Sequence, residues 1–376
     1  MRIEQRLWQP GRGWRTLSTD GPDVPHLVLY FAAPGTLDDG QRFADLKAEY
    51  PGAKLLGCTT GGEIVDVDVH DGTVIATAIE FAHTEIKSSS DKVAPGRSSF
   101  EIGKRVAAGL PHKGLRGMFL LSDGTNVNGT ELVAGVQNVH GRDVALTGGL
   151  AGDGASFRTT MVGLDANPQP GNVVAVGFYG DRIRIGAGSV GGWDAVGPAR
   201  KVTRADGNTL FDLDGEPALD LYKQYLGAEA ANLPASALLF PLRIHPWGKP
   251  EAALVRTVVG VDEARKAMIF AGTIPEGHTA QVMLGHFDNL IAGAGRAATK
   301  AAQPEARLAV LVSCIGRKLL LGQRIHEEVE AVRDVLGPAT HLTGFYSYGE
   351  VSPHEVTGSA ELHNQTMTIT TLSEAA

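Results

Sequence analysis

The chain has 376 residues, with 34 Lys and Arg against 42 Asp and Glu, a net charge of −8 and 43% hydrophobic residues. That apolar share excludes a disordered chain, and 48 glycines without a Gly-X-Y period exclude collagen. A pI near 5.8 without a long Lys/Arg run argues against a nucleic-acid binder, no apolar run approaches a membrane span, and two cysteines supply neither a disulfide framework nor a structural zinc site.

The length suggests two domains, each with its own core. The N-terminus lacks the apolar stretch of an export signal, so a cytoplasmic location is expected. Residues 1–26 mix Trp8, Pro10, Gly11, Gly13, Pro22 and Pro25 without clear periodicity and read as an irregular lead-in. Residues 27–31 read as a buried strand and 37–50 as a helix closed by Pro51 and Gly52. The segment Leu55-Leu-Gly57-Cys-Thr-Thr-Gly-Gly62-Glu63-Ile64 follows, then a strand over 73–79. Residues 98–110 suit an amphipathic helix.

The same order recurs twice. The second copy has a strand at 118–121, a turn at 122–124, a helix over 129–140, the segment Leu146-Thr-Gly148-Gly-Leu-Ala-Gly-Asp153 and strands at 159–162 and 173–178. The third begins with a strand at 308–312, continues through Ser313-Cys314-Ile315-Gly316-Arg317 into a helix ending at Gly337, and reaches Leu342-Thr-Gly344-Phe-Tyr346-Ser-Tyr348-Gly-Glu350 before a strand over 365–371. The first and third copies share Leu-x-Gly-x-x-x-x-Gly-Glu-aliphatic without a gap. Agreement in letters, element type and order makes this an internal repeat. Right-handed strand–helix–strand units place such loops beyond the carboxyl ends of the strands, so Glu63, Asp153 and Glu350 are expected at equivalent loop positions around a ligand site.

Between the second and third copies, 182–190 reads as a strand, 198–213 as a hairpin, 217–226 as a helix opened by Pro217, 235–244, 253–261 and 267–273 as an antiparallel meander, and 279–302 as one long helix. The expected class is therefore α/β: two domains of mixed sheets with repeated strand–helix–strand units and an antiparallel β-meander, divided near Gly215.

No phosphate-loop, dinucleotide or His-Glu-x-x-His signature is present, and the turn 123–129 reads as a helix cap and not a calcium loop. Gly316 and Arg317, where a strand opens into a helix, could clamp a carboxylate, the alternative being a surface pair of Arg317 with Glu327 or Glu328. A cationic anchor beside loop acids would describe a zwitterion. Tyr346 and Tyr348 alternate on one strand end and are expected to wall the same pocket. Cys58 and Cys314 leave a Cys-dependent hydrolase or transferase as an alternative. His245 and His354 would be the axial candidates should haem bind.

These segments, together with Leu121-Ser-Asp123-Gly, Gly215-Glu-Pro-Ala-Leu-Asp-Leu-Tyr222 and Asn364-Gln-Thr-Met-Thr368, resemble the FIST sensory proteins from residue 27 to the end. The resemblance implies an N-terminal domain over 27–215 and a C-terminal domain over 216–376. It implies a small-ligand sensor in signal transduction, with amino acids as ligands or, alternatively, haem and nitric oxide sensed on behalf of a histidine kinase partner. With no output segment evident, the signal is expected to pass to a separate protein. The ligand-binding candidates are Cys58, Thr59, Thr60, Gly62, Glu63, Asp123, Asp153, Cys314, Arg317, Tyr346, Tyr348 and Glu350.

Overall fold

The structure, a computed structural model, describes residues 1–18 and 21–375. The repeat is visible as three parallel strand–helix–strand units. In the first, Leu27–Ala32 pairs in parallel with Lys54–Thr59 across the helix Gln41–Glu49. In the second, Leu115–Ser122 pairs with Ala145–Leu150 across Gly129–His140, and in the third, Leu308–Cys314 pairs with His341–Ser347 across Ile315–Leu321 and Ile325–Leu336. The first strand of each pair carries a continuous buried apolar run, 27–32, 118–121 and 308–312, as a central strand between covering layers must.

Each first strand has an antiparallel neighbour on its other side: Val74–Glu80, Asn172–Tyr179 and Met367–Glu374. Those carry an outer strand in turn: Arg2–Gln9, Glu85–Lys92 and Ile183–Val190. The remaining neighbour comes from another unit. Glu63–Val65 leaves the first unit to pair with His341–Ser347 of the third, Gly349–Pro353 leaves the third to pair with Ala145–Leu150 of the second, and Val162–Leu164 leaves the second to pair with Lys54–Thr59 of the first. This cyclic exchange makes three six-stranded sheets out of three units, none of which completes its own sheet.

The repeat glycines have a packing reason. Gly57, Gly148 and Gly344 stand opposite Tyr30, Leu120 and Leu311 in the parallel pairs. A Cβ at Gly57 would enter the Tyr30 ring, and at Gly148 or Gly344 it would collide with the carbonyl of Leu120 or Leu311. The glycine lets two backbones approach where any side chain would hold them apart.

Three expectations are corrected. Residues 1–26 are not an irregular lead-in: Arg2–Gln9 and Gly13–Thr16 complete the first sheet, with Ile3, Gln5 and Leu7 pointing inward at period 2. The expected long helix over 279–302 is the strand Thr279–Gly285 followed by the helix Phe287–Ala301. Residues 235–239 form a 3-10 turn ahead of the strand Leu242–His245. Gly215 lies inside a nine-stranded antiparallel module, where Thr209–Leu213 pairs with Glu216–Pro217 and Arg200–Asp206 pairs with Thr279–Gly285. A division of the sequence at that point does not correspond to a gap between sheets.

Candidate functional site

The three glycine-rich loops meet. The N–H of Gly61 donates to the carbonyl of Tyr346 (2.7 Å), that of Gly152 to Thr59 (3.0 Å), and that of Tyr348 to Leu150 (3.2 Å). Each loop thus donates to one neighbour and accepts from the other through residues two apart, closing a ring about the axis of the repeat.

Glu63 and Glu350 lie beside this ring and are 0% exposed, so they are not solvated loop acids. Their environments match atom for atom. Thr60 Oγ1 donates to Glu63 at 2.5 Å and Ser347 Oγ to Glu350 at 2.8 Å. The backbone N–H and hydroxyl of Thr73 bind the other Glu63 oxygen at 3.2 and 2.7 Å, and those of Thr366 bind Glu350 at 3.1 and 2.9 Å. Thr73 and Thr366 each directly precede the antiparallel neighbour strand of their unit. In the second unit the equivalent N–H belongs to Gly171, and it donates at 2.6 Å to Asp123.

Burial pushes the Glu63 carboxyl up to about 7 and that of Glu350 to about 8, with the hydrogen bonds from Thr60, Thr73, Ser347 and Thr366 opposing the rise. A carboxyl raised in the folded state binds a proton that the unfolded chain has released, so its contribution is complete below about pH 4.5 and is lost as pH rises through about 8. Glu350→Gln, which mimics the protonated acid, is expected to flatten the decline of stability between pH 5 and 8 by about 1–3 kcal/mol, measured by urea unfolding across that range. An unchanged slope would show that Glu350 does not hold the proton. Asp123 behaves oppositely. Burial would raise it, but Asn126 Nδ2, the N–H groups of Thr125 and Gly171 and the Thr160 hydroxyl outweigh that, and its carboxyl sits below the ordinary value.

Because Asp123 takes the Gly171 N–H, Asp153 is released to a different task. It accepts the N–H groups of Phe157, Arg158 and Thr159 at 2.8–2.9 Å, and the hydroxyl of Tyr348 donates to it. Phe157 stacks on Tyr348 with ring centroids 4.3 Å apart. Beside this departure from the repeat opens a cleft of about 400 Å³, lined by the loop from Gly124 to Asn128, by Leu150, Phe157 and Tyr348, and from the antiparallel module by Asn208, Val259, Phe270 and Ala271. Asn128 caps the helix Gly129–His140, as the turn reading required, and also donates to Thr273 of the module.

Other candidates lie elsewhere. Arg317 is no clamp for a ligand: it is fully buried, donates to Glu328 through Nε (3.0 Å) and Nη2 (2.8 Å), and spends its remaining N–H groups on the carbonyls of Leu290, Gly191 and Gln365. The Glu328 pairing held open above is real, but it is internal. Tyr346 is fully buried with its hydroxyl on Glu328 (2.9 Å), while Tyr348 reaches the cleft. The two tyrosines part because the strand ends at Ser347 and the chain crosses there into a second sheet. Thr59 Oγ1 accepts the N–H of Met161, and a Cβ on Gly62 would meet Lys318 and Tyr346.

Cys58 and Cys314 are buried, and burial, with Glu63 and Glu350 adding to it, pushes both thiols up, away from the thiolate that a nucleophile requires. His245 and His354 line one cavity of about 240 Å³, below the ~300–1,000 Å³ of cofactor clefts. The His354 ring is engaged at both nitrogens, through Ala253 on one side and Val356 and Thr357 on the other, so these residues do not fit a haem. Among the described residues no group of three or more His, Cys, Asp or Glu is arranged to hold a metal ion, and no helix is long and apolar enough to cross a membrane.

Sequence reasoning missed Asn126, Phe157, Asn208 and Phe270 in the cleft. The first sat inside a turn read only as a cap, Asn208 in a hairpin turn, and nothing local joins either to Tyr348.

Comparison with known proteins adds three findings. An uncharacterized protein of Methanocaldococcus jannaschii is 24% identical over 341 residues, 82% of this chain, which spans only 62% of that relative's length. A chorismatase structure aligns over 99% of this chain and 98% of its own at 10% identity and a TM-score of 0.35, and a cyanuric acid hydrolase from A. caulinodans over 94% and 90% at 8% identity and a TM-score of 0.35. The FIST N domain profile matches residues 26–216 and the FIST C domain profile residues 218–353, domains associated with small-ligand sensing in signalling. Matched in both halves, the chain belongs to the FIST family.

Proposed function

We propose that this chain is a non-enzymatic sensory protein that takes a polar ligand of amino-acid size in the cleft beside Tyr348, and that a separate signalling protein, such as a histidine kinase, reads the occupied state. The observation that carries the reading is the departure of the second unit from the repeat: Asp123 replaces Asp153 at the Gly171 N–H, and the freed Asp153 orders Tyr348 and Phe157 at the cleft wall. The amide oxygens of Asn126 and Asn208 and the one Asn208 Nδ2 hydrogen not spent on the Phe270 carbonyl, beside one stacked aromatic pair, suit hydrogen bonding to a small polar molecule. Among the described residues no Lys or Arg lines this cleft, so an amino-acid carboxylate would rely on a neutral donor, the free Asn208 Nδ2 hydrogen. Two buried unpaired thiols suit a reducing cytoplasm.

A thermal-shift screen with the twenty amino acids and neutral polar metabolites tests this. A ligand at a hundredfold excess over its Kd adds about 2.7 kcal/mol of stability. Asn208→Leu, on the module side of the cleft, and Tyr348→Ala, on the core side, are each expected to weaken the hit about tenfold or more by calorimetry. Absence of stabilisation across the panel at millimolar concentration, or full affinity in both variants, would remove the cleft from consideration.

A further inference from the structure

A second cavity, lined by Thr273 where the first is lined by Ala271, has a different chemistry. Its volume is about 240 Å³ and it lies between the antiparallel module and the core. Ile244, Pro246, Leu254 and Pro275 supply apolar walls. Arg256 lies among them and is only 2% exposed.

Three of its N–H groups are accounted for. Nε donates to the carbonyl of Thr273 (3.2 Å), and Nη1 donates to those of Val255 (3.1 Å) and Leu362 (3.0 Å), the last crossing from the module to the core. The two N–H groups of Nη2 have no partner among the described residues, and no carboxylate there stands within ion-pair distance of Arg256. With Nε and Nη1 spent on carbonyls no two-nitrogen fork is left, but an unspent Nη2 N–H at the wall of a cavity can give an oxyanion one charge-assisted hydrogen bond.

Glu361, which also lines the cavity, acts on Arg256 from beyond ion-pair distance, while burial pushes its own carboxyl up. The His354 ring is engaged at both nitrogens, with the Ala253 carbonyl on one side and the N–H groups of Val356 and Thr357 on the other. His245 donates through Nδ1 to the carbonyl of Pro246. His278 completes the polar wall together with the hydroxyls of Thr130, Thr273 and Thr357.

We infer that this cavity is a second ligand site, distinct from the Tyr348 cleft, which binds a small monocarboxylate with an apolar body: the carboxylate on Nη2 of Arg256, the body against Ile244, Leu254 and Pro275. Apolar walls favour such an acid over inorganic phosphate, which would leave them against a hydrated ion.

The test uses the full chain, with benzoate and isobutyrate as probes against their uncharged amides, benzamide and isobutyramide, and against inorganic phosphate, measured by ligand-observed NMR and calorimetry. At least one carboxylate is expected to bind about tenfold or more tighter than its amide, the discrimination of one charge-assisted hydrogen bond. Arg256→Gln is expected to abolish that discrimination. Leu254→Trp, which fills the cavity while leaving Arg256 its carbonyl partners, is expected to abolish binding, and Tyr348→Ala to leave it unchanged. Because the acid and amide are compared on the unaltered protein, the result does not depend on whether Arg256→Gln folds. Equal binding of acid and amide, binding of phosphate alone, or no binding at all would overturn the assignment.

Discussion

Glu328→Ala is expected to destabilise the protein by about 3–5 kcal/mol, the cost of leaving a buried cation without its partner. Glu328 and Arg317 are both 0% exposed at the side chain and 2.8 Å apart. The carboxylate does more than neutralise Arg317. Its other oxygen accepts the hydroxyls of Ser313 (3.1 Å) and Tyr346 (2.9 Å), so it ties together the first strand, both helices and the second strand of the third unit. Removing it orphans four donors on three residues at once. Replacing both partners, as in Arg317→Met with Glu328→Leu, is expected to recover most of the loss, because two charges no longer have to be dehydrated. Chemical denaturation of the single and double variants measures this. A loss under about 1 kcal/mol for Glu328→Ala would mean that water reaches the pair.

Gly344→Ala is expected to cost about 3 kcal/mol or more, and Gly148→Ala at least as much. At Gly344 the new methyl would collide with the Leu311 carbonyl, which is backbone held in a parallel pair and unable to swing aside. Gly148 meets the Leu120 carbonyl in the same way and also has φ +136°, a conformation that side chains resist. Gly207→Ala is the control. Its φ is +55° in the hairpin turn with nothing within 4 Å of the added carbon, so only the modest left-handed penalty of about 1 kcal/mol applies. Thermal unfolding of the three variants separates close approach from glycine content in general. Equal losses at 207 and 344 would show that the repeat glycines serve only backbone freedom.

These expectations rest on different layers of legibility. Strands at 27–31, 118–121 and 308–312 could be read because central strands are apolar on both faces, and the helix over 129–140 because its Asn128 cap and Gly141 stop are local signals. Arg2–Gln9 escaped because the polar Gln5 stands among its inward residues and the apolar Trp8 among its outward ones, so the period-2 alternation is broken in the letters. Thr279–Gly285 escaped because it runs almost directly into the helix at Phe287 and shares its apolar character. Of the candidate site, Tyr348 lines the cleft, with Asp123 and Asp153 ordering its walls, whereas Arg317, Tyr346, Glu63 and Glu350 are interior.

The sequence by itself determined the three strand–helix–strand units, their order and the matched positions of Gly57, Gly148 and Gly344, because element type depends on period, caps and turns within a dozen residues. Only the tertiary structure decided what the units share. Glu63 pairs with Phe345 and Glu350 with Gly149, contacts between segments far apart in the chain that no local pattern encodes. That exchange of strands is what encloses the two glutamates. The cleft beside Tyr348 opens where the second unit, with Asp123 in place of Asp153, departs from the other two.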